Sequence, residues 1–211
     1  MPNIINLTYF KHNLFIPLAE EMSSIPSSQS APNNVDALQT LIDALEKYIL
    51  INALGVSVYN ELQTALDDLD NADQIWKDLI NGCEYDGKIW IGLKEDNSLL
   101  ANAIFSEFLQ SDSNGFYTSL GIAKPKPTES GLVTPKTKIV STYNTFLTKY
   151  QSDYKCISDV YETSYGTFVD YYGNNEETYV SLYKFLKDKE ADYGVDMTKF
   201  KIYQPINTFW I

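Results

Sequence analysis

Apolar residues recur every three to four positions over much of this chain, and each such run predicts a helix with one buried face. Asn34 is suited to capping a helix start. After it, Val35, Leu38, Leu41, Ile42, Leu45, Tyr48 and Ile49 form a single stripe. Gly55, inside "NALGVSVYNEL", stands where that helix should stop. A second helix carries Val58, Tyr59, Leu62, Leu66 and Leu69 and ends in "DDLDNAD". A third is predicted from about Ala72 to Asn81, with Ile75, Trp76, Leu79 and Ile80 on its stripe and Gly82 as its stop. Asn97 or Ser98 caps a fourth, whose broad apolar face (Leu99, Leu100, Ala103, Ile104, Phe105, Phe108, Leu109) suits a largely buried helix. A fifth starts near Lys138 with Ile139, Tyr143, Phe146, Leu147, Tyr150 and Tyr154, and runs on toward Tyr161. Glu176 to Ala191 reads as the last, with Tyr179, Leu182, Tyr183 and Leu186.

The period fails in four places. "CEYDGKIWIGLKED", residues 83 to 96, has an Asp-Gly turn signal before a short strand-like Ile-Trp-Ile. Residues 111 to 137 hold three Gly and three Pro and form a long connection, a kind of loop that is uncommon inside compact domains and usually functional when present. The two ends are apolar without helical spacing. Residues 1–22 read as an extended arm and the Ser/Pro/Asn-rich residues 23–34 as a linker. The arm either folds back on its own domain, docks on a neighbour, or stays disordered. Residues 198–211 form an extended tail ending in Phe209, Trp210 and Ile211, which need something to pack against. The expected fold is mainly α: a bundle-like helical body over 35–197, with a long loop or small β element and extended arms at both ends.

Composition narrows the function. Forty-four per cent of residues are apolar, enough for a sizeable core, and 16 Tyr and 10 Phe favour cores and protein interfaces. The net charge is −12, and all 16 basic residues are Lys. Such a chain does not grip DNA, because that affinity comes largely from basic side chains on phosphates. An acidic wall beside DNA stays possible. Within the long connection, Lys124, Lys126 and Lys136 with neighbouring Lys138 make a local basic patch, either a solvated loop or a partner-binding one. No apolar run approaches the roughly 18 residues that span a membrane, and the N-terminus lacks the pattern of a signal peptide.

Reactive side chains are scarce. His12 is the one histidine, and Cys83 and Cys156 share no metal-binding spacing. Triad chemistry would have to use His12 or none. Asp67, Asp68, Asp70 and Asp73 lack the Gly and distal Glu of a calcium loop and read as a solvated helix end. Gly82, Gly87 and Lys88 have P-loop spacing, but Ile89 replaces the magnesium-binding hydroxyl and the helix and strand come in the wrong order. We expect no catalytic, metal or cofactor site, and no enzyme.

Five stretches carry a resemblance. "YFKHNLFIP" (9–17), "LIDALEKYILINALGVSVYNEL" (41–62), "YDGKIWIGLKED" (85–96), "SLYKFLKDKEADY" (181–193) and "PINTFWI" (205–211) follow one another in that order. Together they resemble a head–tail connector, or adaptor, protein of tailed phages of Bacteroidetes hosts, the crAss-like phages included. The resemblance implies a structural virion protein assembled in the host cytoplasm and placed in the phage neck or tail. It implies a homo-oligomeric ring of twelve subunits, bound to the portal and to further tail or ring proteins, with DNA only passing through the channel and no membrane partner. The long 111–137 loop and the tyrosine-rich last third depart from shorter adaptors. As contact residues we take Tyr9, Phe10, Leu14, Phe15, Ile16, Lys124, Lys126, Lys136, Phe209, Trp210 and Ile211. The rival readings are a non-ring virion or assembly protein and, from another class, a small phage enzyme.

Overall fold

The computed structural model describes residues 2–14, 16, 34–112, 116–118, 121–123, 136–151 and 179–206. The fold is mainly helical with small β elements, as the apolar periods predict. Helices α1 (Asn34–Leu54), α2 (Val56–Asp67) and α3 (Gln74–Asn81) come first. A hairpin of β1 (Cys83–Tyr85) and β2 (Lys88–Trp90) leads to α4 (Leu99–Asp112). A second hairpin, β3 (Phe116–Thr118) and β4 (Gly121–Ala123), lies within the long connection before α5 (Lys136–Gln151). Two short helices, α6 (Leu182–Asp188) and α7 (Glu190–Tyr193), close the described body.

The joints follow local chemistry. Gly55, at φ 80°, ends α1 by donating its N–H to Ile51 O at 2.8 Å, and its own carbonyl then accepts from Tyr59 N at 3.0 Å in α2. Asp86 and Gly87 both take positive φ, as a two-residue primed turn requires, so Cys83, Glu84 and Tyr85 pair with Trp90, Ile89 and Lys88. Ser98 caps α4: its hydroxyl accepts from Leu100 N at 3.2 Å and donates to Leu93 O at 2.7 Å.

The end of α3 is bound to the end of β2 and the segment just after it. The last carbonyls of a helix have no partner within the helix. Here Leu79 O accepts from Leu93 N and from the Trp90 indole, and Ile80 O accepts from Lys94 N at 2.9 Å. The two backbones cross so closely that a Cβ on Gly92 would lie 2.5 Å from Asn81 C, and one on Gly82 2.6 Å from Trp90 O. Both glycines also have positive φ, so two requirements select them.

Helix α4 lies in the middle. Every residue from Leu99 to Ser106 is buried, and α4 packs on both α1 and α5. The described residues from 179 on are fastened by aromatic pairs. Trp90 stacks on Phe185 with centroids 5.2 Å apart, and Trp76 meets Tyr193 edge-on at 5.7 Å. Phe200 and Tyr203 join Phe146 and Tyr150 of α5 in a second cluster. Such pairs add to the burial of their area.

One expected element is corrected. The single helix from Glu176 to Ala191 is, over its described part, α6 and α7 preceded by extended backbone. Val180 N donates to Ile89 O at 3.0 Å, and Tyr179 forms a parallel bridge with Ile89. Helix formation waits for Ser181, whose hydroxyl accepts from Lys184 N.

The N-terminal segment makes two 3-10 turns, Leu7–Tyr9 and His12–Leu14, and lies on its own body. Ile4, Ile5, Phe10, Leu14 and Ile16 are all buried in the common core. This is the folded-back arrangement among those the sequence leaves open. At the other end, Lys201 N donates to Asn52 O, and Gln151 makes a paired exchange with the Tyr203 main chain at 2.7 and 2.9 Å. Among the described residues, no helix is long and apolar enough to cross a membrane.

Candidate functional site

The expected contact residues fall into three groups. Phe10, Leu14 and Ile16 are core residues of their own chain, so as placed they offer no surface to a neighbour. Tyr9 is half-buried and its hydroxyl donates to Lys94 O at 3.1 Å; Lys136 is half-buried at the first position of α5. Phe15, Lys124, Lys126, Phe209, Trp210 and Ile211 lie outside the described residues. The structure therefore brings Tyr9, Phe10, Leu14 and Ile16 together and places Lys136 on another element.

Two buried ionic groups were not singled out from the sequence. Glu46 is 2% exposed and accepts from the main-chain N–H groups of both Ile4 (2.8 Å) and Ile5 (3.1 Å). Burial raises its pKa to about 7, against the lowering effect of those two bonds; Asp43 adds a smaller push upward. Asp43 also accepts from the Asn3 amide at 2.6 Å. One face of α1 thus holds the N-terminal segment. The signal was present in the sequence: Glu46 sits four residues after Ile42 and three before Ile49, on the apolar stripe itself.

Lys149 is the second group, 5% exposed, on the Phe146–Tyr150 face of α5. Its ammonium donates to Glu95 Oε2 at 2.8 Å and to Asn97 O at 2.6 Å, tying α5 to the turn before α4. Burial pushes the Glu95 carboxyl up, and Lys149 opposes the shift. Losing one partner of such a pair leaves a largely buried charge uncompensated, which is costly.

The motifs weighed for chemistry take structural roles. Gly82 closes α3, Gly87 makes the hairpin turn, and the Lys88 ammonium pairs with Asp188 at 2.8 Å. Burial works against the Asp188 carboxylate, but hydrogen bonds from Lys88 and Lys184 outweigh it and hold it below the usual range. Asp68 and Asp73 line an open cleft of about 450 Å³ between α2 and α3, with Glu61, Asn71 and Trp76. His12 is exposed, beside Tyr9, Asp96 and Asn97. Among the described residues, no group of three His, Cys, Asp or Glu side chains is arranged to hold a metal ion.

The class defined by these observations is an acidic, mainly helical body in which the buried Glu46 and Lys149 tie separate elements to one another. No family model, no curated protein and no solved structure matches the chain.

Proposed function

We propose that this chain is a structural virion protein, a subunit of the head–tail connector ring that joins a phage portal to the tail and lines the DNA channel. The resemblance carries the proposal, and one observation supports it: among the described residues, four of the five stretches that bear it meet in space. The 3-10 turn at Leu7–Tyr9 packs on α1, and Tyr9 bonds to Lys94. Lys88 and Trp90 bind Asp188 and Phe185, and Lys201, just before the closing stretch, bonds to Asn52. Segments spread over the whole sequence thus behave as one frame.

The frame suits the task. A ring subunit works through shape and contact, needing rigid helices and no reaction centre. With a net charge of −12, its surface repels DNA, which lets a duplex slide past without sticking. The test is native mass spectrometry of the purified protein with the portal encoded in the same genome. A portal-bound assembly of twelve copies is expected. A chain that stays monomeric and joins neither portal nor virion overturns the proposal.

A further inference from the structure

We infer that the N-terminal segment, from Pro2 to Ile16, is exchangeable between subunits: it takes the same slot on a second copy of the chain. Three observations lead there. First, the segment is buried but not woven in. Among the described residues no strand or α-helix joins it to the body. It is held by side-chain bonds, Glu46 to the N–H groups of Ile4 and Ile5, Asp43 to Asn3, and Tyr9 to Lys94 O. Every one of these partners exists unchanged on any other copy.

Second, the segment cannot stand free. Release exposes Ile4, Ile5, Phe10, Leu14 and Ile16, and it leaves Glu46 without the two donors that accompany its burial. The empty slot is equally unfavourable. Apart from its own body, a second copy provides a surface that satisfies both at once. Third, the covalent connection permits the exchange. Seventeen residues, 17 to 33, separate Ile16 from Asn34, and they include three Pro and five Ser. Fully extended, they reach about 60 Å, more than the width of a domain this size.

The balance between own and exchanged docking is one of concentration. The contacts are the same in both, so the tether decides. A connection of this length gives an effective concentration on the order of millimolar. In dilute solution the segment stays home; packed beside identical subunits, it crosses. This is the domain-swapped route to assembly. It does not depend on the connector reading. A chain that exchanges but never meets a portal would sink that reading and leave this inference standing.

The test uses the full chain with Cys83 and Cys156 replaced by serine. One preparation carries Asn3→Cys, another Asp43→Cys, and the two are mixed with a short bis-maleimide crosslinker. The double variant is the check on docking, and it should crosslink within one chain at micromolar concentration. The mixture should give a crosslinked dimer that grows with concentration and reaches about a tenth of chains near 0.1 mM. Adding 17 Gly/Ser residues to the tether should raise the dimer yield about threefold. Asn3→Cys mixed with Lys199→Cys, far out on the surface, sets the background. A dimer yield no higher than that background, a yield indifferent to tether length, or a double variant that does not crosslink internally would each overturn the inference.

Discussion

Helix α4 and the N-terminal segment sink their large side chains into the same core, but their backbones are satisfied by different means. Residues 99 to 106 of α4 are all buried, and the helix closes its main-chain bonds on itself. Its polar side chains turn inward too: Asn102 donates to Asn97 Oδ1 and Ser98 O, and Ser106 donates to Ala103 O. The N-terminal segment has no such ladder. Its buried N–H groups at Ile4 and Ile5 rely on a carboxylate that belongs to α1. Burial alone therefore does not say how an element is committed to its chain. A helix that closes its own main-chain bonds between two packed neighbours is committed; a segment held by imported acceptors at the end of a long connection is not.

The widest break should come from the body. Gly92→Ala places a Cβ against the α3 backbone at a positive φ, and we expect a loss of about 4 kcal/mol in urea denaturation. A loss below about 1 kcal/mol would mean that the crossing of the end of α3 and the segment after β2 is looser than described.

Next, Phe10→Ala should cost about 3 to 4 kcal/mol, felt locally. Hydrogen exchange is the measurement. The Ile4 and Ile5 amides should lose protection while those of α4 keep theirs. Equal loss in both would erase the contrast drawn above.

Glu46 makes the third prediction. Its folded-state value is raised from about 4.5 to about 7, so the folded chain holds a proton that the unfolded chain has already released. Stability from this group is therefore greatest below about pH 4.5, falls between about pH 4.5 and pH 7, and is level above. The fall amounts to up to about 3 kcal/mol. Urea titrations at several pH values, wild type against Glu46→Gln, isolate it: the difference between the two should slope in that window. Parallel pH curves would show that Glu46 is not desolvated in the slot.

The smallest effect has the opposite sign. The Tyr150 hydroxyl is buried with no hydrogen-bond partner among the described residues, and burial pushes its ionisation far above the usual range. Tyr150→Phe should leave the fold as stable or more stable by about 1 kcal/mol. A clear destabilisation would point to an unseen partner for that hydroxyl.

Much of the body was legible because its helices repeat one chemical rule over many residues. The stripes of α1 to α5, the stop at Gly55, the cap at Ser98 and the Asp86-Gly87 turn all rest on local physics. What failed was decided by distant residues. Tyr179, Leu182, Tyr183 and Leu186 fit a helical period, yet Val180 pairs with Ile89 across the fold and delays the helix to Leu182. The contact residues were harder still. Tyr9, Phe10, Leu14 and Ile16 are apolar enough for a partner's surface or for their own core, and hydrophobicity cannot tell the two apart. Glu46 was readable as a polar residue on an apolar stripe, although its partners, two main-chain N–H groups some forty residues away, leave no mark in the sequence.

The central claim, that this chain works as a ring around DNA, is tested most directly by a cryo-EM reconstruction of the intact virion neck. The account predicts twelve copies of the mainly helical body in a closed ring against the portal, with DNA along its axis. A neck fully built from other proteins, or this chain bound elsewhere in the particle without a ring, would contradict it.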